Sequence, residues 1–154
     1  MITKVRLSLV LLFILFSNSL KAQNRDSIDV INSVANFVTA FNNFNWSEFR
    51  ASFADDATMF HPFWSQPRRR NGRQEIESAW LAIFPEFVDE KNTRKLQISP
   101  KDINLQIYGQ TAIVTFHLGD GIKQLSRRTL VMIKDKHKWK IAHLHASSVS
   151  DDKN

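Results

Sequence analysis

His61 is the residue with the clearest potential for chemistry, and it stands in the run FADDATMFHPFW from Phe53 to Trp64. An imidazole titrates near neutral pH, so it can accept or donate a proton. Asp55 and Asp56 are typical of a turn, and Pro62 removes a backbone donor directly after His61. The run therefore predicts a helix end, a turn and a strand that delivers His61 into a pocket. A core histidine bonded to a backbone carbonyl is the alternative.

Two more histidines, His143 and His145, lie two positions apart near the C-terminus. Alternation along a strand puts both on one face, where they could bind a metal, but the sequence offers no third ligand. We therefore predict no metal site and no cofactor. Arg127 and Arg128 point to opposite faces of their strand by the same alternation. Arg128 could face inward and meet a carboxylate, supplied either by a ligand or by the chain itself.

The chain has 154 residues, of which 43% are hydrophobic, and no cysteine, which suits one globular domain without disulfides. Residues 1–22 combine Lys4 and Arg6, an apolar run and the small Ala22, the pattern of a secretory signal peptide. An uncleaved anchor is the alternative, but the apolar run is shorter than the ~20 residues that span a membrane. We expect an exported protein, periplasmic or secreted, with no membrane segment after cleavage.

Cleavage changes the charge of the chain. The full sequence has 21 Lys and Arg against 15 Asp and Glu, a net charge of +6, and loss of the three basic residues before position 23 leaves 18 against 15. The basic run Pro67 to Arg73 could attract anionic ligands, with a solvated loop as the alternative. Because that run has no aromatic stacking platform, we predict no nucleic-acid partner.

Apolar residues at helical spacing predict three helices, which precede all the long strands. The first covers Asp26–Asn43, the second begins near Asn45, and the third begins near residue 71. Pro85 should end the third helix near Phe84.

From Leu96 onward the hydrophobic period changes to two, which predicts strands. They are expected at 103–107, 111–118, 122–134 and 138–149, and residues 150–154 form a polar tail. Helices followed by long antiparallel strands indicate an α+β fold in which the helices cover one face of a strongly curved antiparallel sheet and leave a cone-shaped hollow.

Two segments carry a family resemblance. FNNFNWSEFRASFADDATMFHPF resembles the N-terminal signature of the SnoaL-like and ketosteroid isomerase-like branch of the nuclear transport factor 2 superfamily. RRTLVMIKDKHKWKIAHLHASS is similar to the final hairpin of that branch. The resemblance covers residues 26–149 and implies the cone fold. It implies less about function, because this superfamily includes enzymes, binding modules and assembly domains.

The resemblance also argues against steroid isomerisation. The catalytic aspartate of the isomerase falls at His61, its hydrogen-bonding tyrosine at Phe37, and its protonated aspartate near Leu130. A base of another type remains, but both donors that would stabilise an enolate are missing.

The family template divides the later residues between a pocket face and an outer face. It places Leu144 and Ala146 toward the pocket, and it places Trp139, His143 and His145 on the outer face, where this superfamily commonly dimerises. A β-bulge would exchange the two faces. The residues predicted to line the pocket are Phe37, Phe41, His61, Trp64, Trp80, Phe84, Arg128, Leu130, Leu144 and Ala146. Plain core packing is the alternative for the aromatic members.

These features predict an exported domain that binds a small, partly apolar ligand in a cone-shaped pocket and forms a homodimer. One alternative is an enzyme in which His61 acts as general acid or base, helped by Arg128, in an isomerisation, hydration or hydrolysis. Another is an association module, because the His-x-His-x-Ser strand end is similar to that of the association domain of calmodulin-dependent kinases.

Overall fold

A computed structural model of the chain describes residues 24–62, 68–119 and 125–148. The predicted signal peptide, the polar tail and Trp64 lie outside these described residues. Helix α1 covers 24–42. The other elements are α2 (Trp46–Ala51), β1 (Phe53–Phe60), β2 (Arg70–Asn71), α3 (Gly72–Ile83), a 3-10 turn (Pro85–Phe87), β3 (Lys101–Tyr108), β4 (Thr111–Leu118), β5 (Ser126–Asp135) and β6 (Lys138–Ser148). Within these parts of the chain, no helix is long and apolar enough to cross a membrane.

The strands form one six-stranded sheet in the order β2-β1-β6-β5-β4-β3. Three helices accompany this sheet, and the predicted α+β class is confirmed. The pairing of β1 with β6 is parallel, whereas all the other pairings are antiparallel. The sheet is therefore mixed rather than purely antiparallel. The parallel pair is possible because α3 and four further strands separate β1 from β6 along the chain, which is ample for a crossover connection.

The ends of the short helices follow local sequence signals. The side chain of Asn45 accepts a hydrogen bond from the backbone N–H of Glu48 and caps the start of α2. Helix α3 ends at Ile83, two residues before Pro85. The proline disfavours a helical conformation at the residue before it, so the predicted end of this helix is confirmed.

The predicted turn at Asp55 and Asp56 is wrong, because both residues lie inside β1. Both are exposed, and the register between β1 and β6 shifts between Phe53 and Thr58. This irregularity puts two polar residues in succession on the surface, a pattern that looks like a turn in the sequence. The carboxylate of Asp55 forms an ion pair with Arg73 of α3 at 2.6 Å.

Strand β6 contains a β-bulge at Ala142, because Val131 pairs with His143 while Met132 pairs with Ile141. The extra residue reverses the alternation of side chains along the strand. Trp139 is only 4% exposed and belongs to the core, so its predicted place on the outer face is wrong. Beyond the bulge, the alternation agrees with the predicted one, and Leu144 is buried.

The inner face of the sheet is built in rows of paired residues that run across the strands. The row with Met59, Leu144, Leu130 and Val114 is almost fully buried. Above it, aromatic side chains of the helices pack closely, with Phe49 at 4.7 Å from Phe87 between ring centroids. These rows and rings form the apolar core on which the site rests.

Candidate functional site

A polar row lies next to this apolar row, at the end of the sheet where β1 and β6 finish. In the parallel pairing of these strands Phe60 is opposite His145, so the next residue, His61, comes level with Ala146. Ala146 pairs in turn with Arg128 of β5. Neighbouring strands lie about 4.8 Å apart, so the backbones at His61 and Arg128 are separated by roughly 10 Å. Within this row of paired residues, the small side chain of Ala146 occupies the position between them on the inner face.

His61 is buried, with 7% of its surface exposed. Its ring contacts the indole of Trp80 from α3 at 4.7 Å between centroids, in an edge-to-face arrangement. Burial, and then the positive charges of Arg128 and Arg70, lower the pKa of His61 to about 4. The imidazole is therefore neutral at pH 7.

Arg128 is partly buried, and its guanidinium donates hydrogen bonds to the hydroxyl of Ser126 and to the carbonyl of Arg127, the latter at 2.9 Å. Both acceptors are neutral groups of its own strand. Within the part of the chain that the structure describes, no carboxylate forms an ion pair with Arg128. Burial lowers the pKa of Arg128 to about 10, so this side chain still carries its charge at neutral pH.

Arg70 is a member of the site that the sequence did not reveal individually. It belongs to β2, where it lies opposite Met59 of β1, and its charge acts on His61. In the sequence this residue is one member of the basic run from Pro67 to Arg73. A strand of two residues has no periodicity that could have singled it out.

The predicted aromatic lining divides into two groups. Trp80 contacts His61, and its indole nitrogen has no hydrogen-bond partner among the described residues. Phe84 stacks on Trp80 at 5.7 Å. Phe37 instead packs against Phe49 at 5.3 Å inside the helix layer, and Phe41 lies 5.1 Å from Trp80. Among the described aromatic residues of the predicted lining, Trp80 is therefore the one that contacts His61 of the polar row.

A family model described as a SnoaL-like domain matches residues 30–151. The chain belongs to this family. No curated protein matches the sequence.

The solved structures that resemble this SnoaL-like domain share its fold over most of their length. A candidate dehydratase of the nuclear transport factor 2-like family from Streptomyces avermitilis is 23% identical, with a TM-score of 0.67, and the match covers 82% of this chain and 98% of that one. A candidate ketosteroid isomerase from Shewanella frigidimarina is 28% identical, with a TM-score of 0.59 and coverage of 75% and 92%. A candidate kinase association domain from Thiobacillus denitrificans is 18% identical, with a TM-score of 0.61 and coverage of 77% and 93%.

The two positions compared with the hydrogen-bond donors of the isomerase are apolar in this SnoaL-like domain. Leu130 has no exposed surface, and Phe37 is 6% exposed. Neither side chain carries a hydrogen-bond donor, so the structure places no oxyanion donor at either position.

The outer face of the sheet carries His143 and His145. Nδ1 of His143 shares a hydrogen bond of 2.7 Å with the hydroxyl of Thr58. Phe60 lies 5.9 Å from the ring of His143 and 5.6 Å from that of His145. Burial, His145 and Arg69 lower the pKa of His143. No group of three or more potential metal ligands occurs within the described ranges.

A groove of about 370 Å³ lies at the opposite end of the sheet, between α1, α2 and the turn that joins β5 to β6. Asn32, Asn36, Glu48 and Trp139 are among the residues that line it. None of the residues predicted to line the pocket contributes to this groove, so it is separate from the His61 row.

Proposed function

We propose that this SnoaL-like domain binds a small, partly apolar ligand at the row formed by His61, Ala146 and Arg128. The observation that carries this proposal is the position of the row. It places an imidazole and a guanidinium on the inner face, directly beside a row of fully apolar side chains and under the ring of Trp80. Ligand sites typically combine apolar walls with a few polar groups that fix the orientation.

A thermal-shift screen tests this function. Small apolar compounds that carry one hydroxyl, carbonyl or carboxyl group would be added to the wild type, to His61→Ala and to His137→Ala. His137 is exposed in the turn between β5 and β6 and serves as the control. We expect a compound that raises the melting temperature of the wild type and of His137→Ala but not that of His61→Ala. A hit that stabilises all three proteins equally would contradict the proposed site.

A second candidate function is catalysis, in which His61 acts as general base or acid. The observation in its favour is that His61 is neutral at pH 7 and lies near the cationic Arg128, which could stabilise negative charge on a substrate. Two of the similar structures are named as a candidate dehydratase and a candidate isomerase, and these names make both reactions worth testing. Incubation of each ligand with the protein, followed by mass and NMR spectra, should show a product that His61→Asn does not form. A ligand recovered unchanged would leave binding as the function.

We also propose a homodimer through the outer face of the sheet. Phe60 supports this proposal, because it is 37% exposed and contacts both His143 and His145. Sedimentation at micromolar concentration should give a dimer for the wild type and a monomer for Phe60→Asp. A monomeric wild type would refute this assembly.

We further propose that the protein is exported and that residues 1–22 are removed. The basic start, the apolar run and the small residue at position 22 support cleavage at this point. Expression of the full sequence with its own leader, followed by intact mass measurement, should give a mature chain that begins near Gln23. An intact leader in the recovered protein would contradict export by this route.

A further inference from the structure

We propose that the ligand of the polar row is a small monocarboxylic acid with an apolar body, and that its carboxylate pairs with the guanidinium of Arg128. This inference rests on the proposed function and names the chemical class of the ligand.

The side chain of Arg128 is directed to the inner face of the sheet. It pairs with Ala146, and its neighbours two positions along β5 and β6, Leu130 and Leu144, are buried on the inner face. Alternation along the strand therefore sends the Arg128 side chain to the inner face, whereas Arg127 is exposed on the other side. A guanidinium directed toward an apolar interior loses hydration and needs a compensating charge.

The described residues of the protein do not supply that compensating charge to Arg128. The acceptors of Arg128 are the Ser126 hydroxyl and the Arg127 carbonyl, and neither is ionised. These two bonds both involve one guanidinium nitrogen, Nη1. Nε and Nη2 make no hydrogen bond to a described residue, so one edge of the planar fork remains available. A carboxylate fits such an edge with two parallel hydrogen bonds.

The charges around His61 are positive, and they come from Arg70 and Arg128. Arg70 lies opposite Met59 and Arg128 lies opposite Ala146, so both arginines belong to the end of the sheet that carries the neutral His61, and the positive charge of each acts on it. A bound anion would be attracted by both guanidiniums. A ligand cation would be repelled by both.

The apolar row beside the polar one favours a ligand with a single charge. The row behind the polar one consists of apolar side chains that are at most 2% exposed, including Met59, Leu130 and Leu144. A second ionised group on the ligand would meet this apolar surface and lose its hydration without a partner. Trp80 at the side favours an apolar or aromatic body for the ligand.

The test compares pairs of compounds that have the same body but differ in charge. Suitable pairs are 4-phenylbutyric acid with 4-phenylbutanamide, and cyclohexanecarboxylic acid with its amide, measured by isothermal titration calorimetry at neutral pH. We expect the wild type to bind an acid at least about tenfold more tightly than its amide, a ratio that one charge-assisted contact can provide. In Arg128→Gln the two affinities should become equal.

Arg127→Gln is the matched control, because Arg127 is the adjacent arginine on the same strand and faces the other way. It should keep the acid-to-amide ratio of the wild type. Arg128→Lys guards against a folding defect in Arg128→Gln, since it retains the charge but not the two-pronged geometry, and its ratio should be intermediate. Circular dichroism would verify that each variant is folded.

The outcomes separate the acid class from the proposed function. Amides that bind the wild type as tightly as acids, or an unchanged ratio in Arg128→Gln, would overturn the acid class and leave the binding function standing. Failure of every acid and every neutral compound to bind would overturn both. A ratio that falls equally in Arg127→Gln would overturn the assignment to Arg128.

Discussion

His61 and Arg128 flank Ala146 on three adjacent strands of the inner face, so a neutral imidazole and a cationic guanidinium share one row of the sheet. The positive charges of Arg128 and Arg70 have a direct consequence for the protonation of His61. If its ring were protonated, it would be a second cation beside Arg128 and Arg70 in a buried environment, and both effects oppose protonation. His61 therefore stays uncharged over the whole range of pH values near neutrality.

The pH dependence of stability should reveal the state of His61. Its pKa is about 4 in the folded protein and near 6.5 in the unfolded chain, so the unfolded state binds the proton more tightly. The contribution to stability is fully present above pH 6.5 and is lost as the pH falls toward 4. By linkage this loss amounts to about 2–3 kcal/mol at about pH 4.5.

Urea unfolding of the wild type and of His61→Gln, at about pH 7.5 and about pH 4.5, measures this contribution. Glutamine has a similar shape but does not titrate, so the variant should lose about 2–3 kcal/mol less than the wild type on acidification. The carboxylates titrate in both proteins and cancel in the comparison. Equal losses in the two proteins would show that His61 is not held neutral by the fold.

The small side chain at Ala146 should be essential for ligand binding, because the proposed ligand lies over it between His61 and Arg128. Ala146→Val would add two methyl groups between His61 and Arg128, and overpacking of this kind costs about 1–3 kcal/mol of stability. Ala112→Val is the matched control, because Ala112 is also buried on the inner face but lies opposite Met132, away from the polar row. Both variants should lose similar stability in urea. Only Ala146→Val should weaken ligand binding in calorimetry, and equal effects on affinity would argue against a ligand that lies over Ala146.

The parts of the fold that could be predicted are those that local chemistry decides. Strand β4 occupies Thr111–Leu118, as its alternating pattern predicts, because every second residue is buried against the core. Helix α3 ends where Pro85 requires it. In both cases the sequence pattern that predicts the element and the contacts that form it lie within the same few neighbouring residues.

The parts that could not be predicted depend on partners distant in the sequence. The side of Trp139 depends on an extra residue at Ala142, which is visible only in the pairing of β5 with β6. The role of Arg70 depends on a two-residue strand that forms because β1 lies beside it. The parallel pairing that aligns His61 with Ala146 likewise joins segments more than 80 residues apart.

The corrected position of Trp139 leads to a further prediction. Its indole nitrogen is buried and has no hydrogen-bond partner among the described residues, so the N–H contributes no bond to offset its lost hydration. Trp139→Phe should cost less than about 1.5 kcal/mol, because it keeps an aromatic ring of similar character and removes the unsatisfied donor. Trp139→Ala should cost about 3–5 kcal/mol through the cavity that it leaves. Urea unfolding distinguishes these outcomes, and a negligible cost for Trp139→Ala would indicate an outward side chain.

The last prediction concerns Asn42, which joins the end of α1 to the segment before β3. Its side-chain amide donates to the carbonyl of Ile98 at 2.9 Å and its side-chain oxygen accepts from the N–H of Ile98 at 2.8 Å, in the manner of a paired strand. Its own carbonyl accepts from the N–H of Leu96 at 2.9 Å. Asn43 next to it is exposed and makes one local bond, to the carbonyl of Thr39.

Asn42→Ala should therefore cost about 2–3 kcal/mol, since two hydrogen bonds are lost and two backbone groups of Ile98 lose their partners. Asn43→Ala, the matched control, should cost roughly 0.5 kcal/mol or less, as is usual for an exposed position. Urea unfolding gives the two free energies, and amide hydrogen exchange should show faster exchange at Ile98 in Asn42→Ala alone. Equal costs for the two alanine variants would mean that the segment before β3 is held by its apolar contacts and not by Asn42.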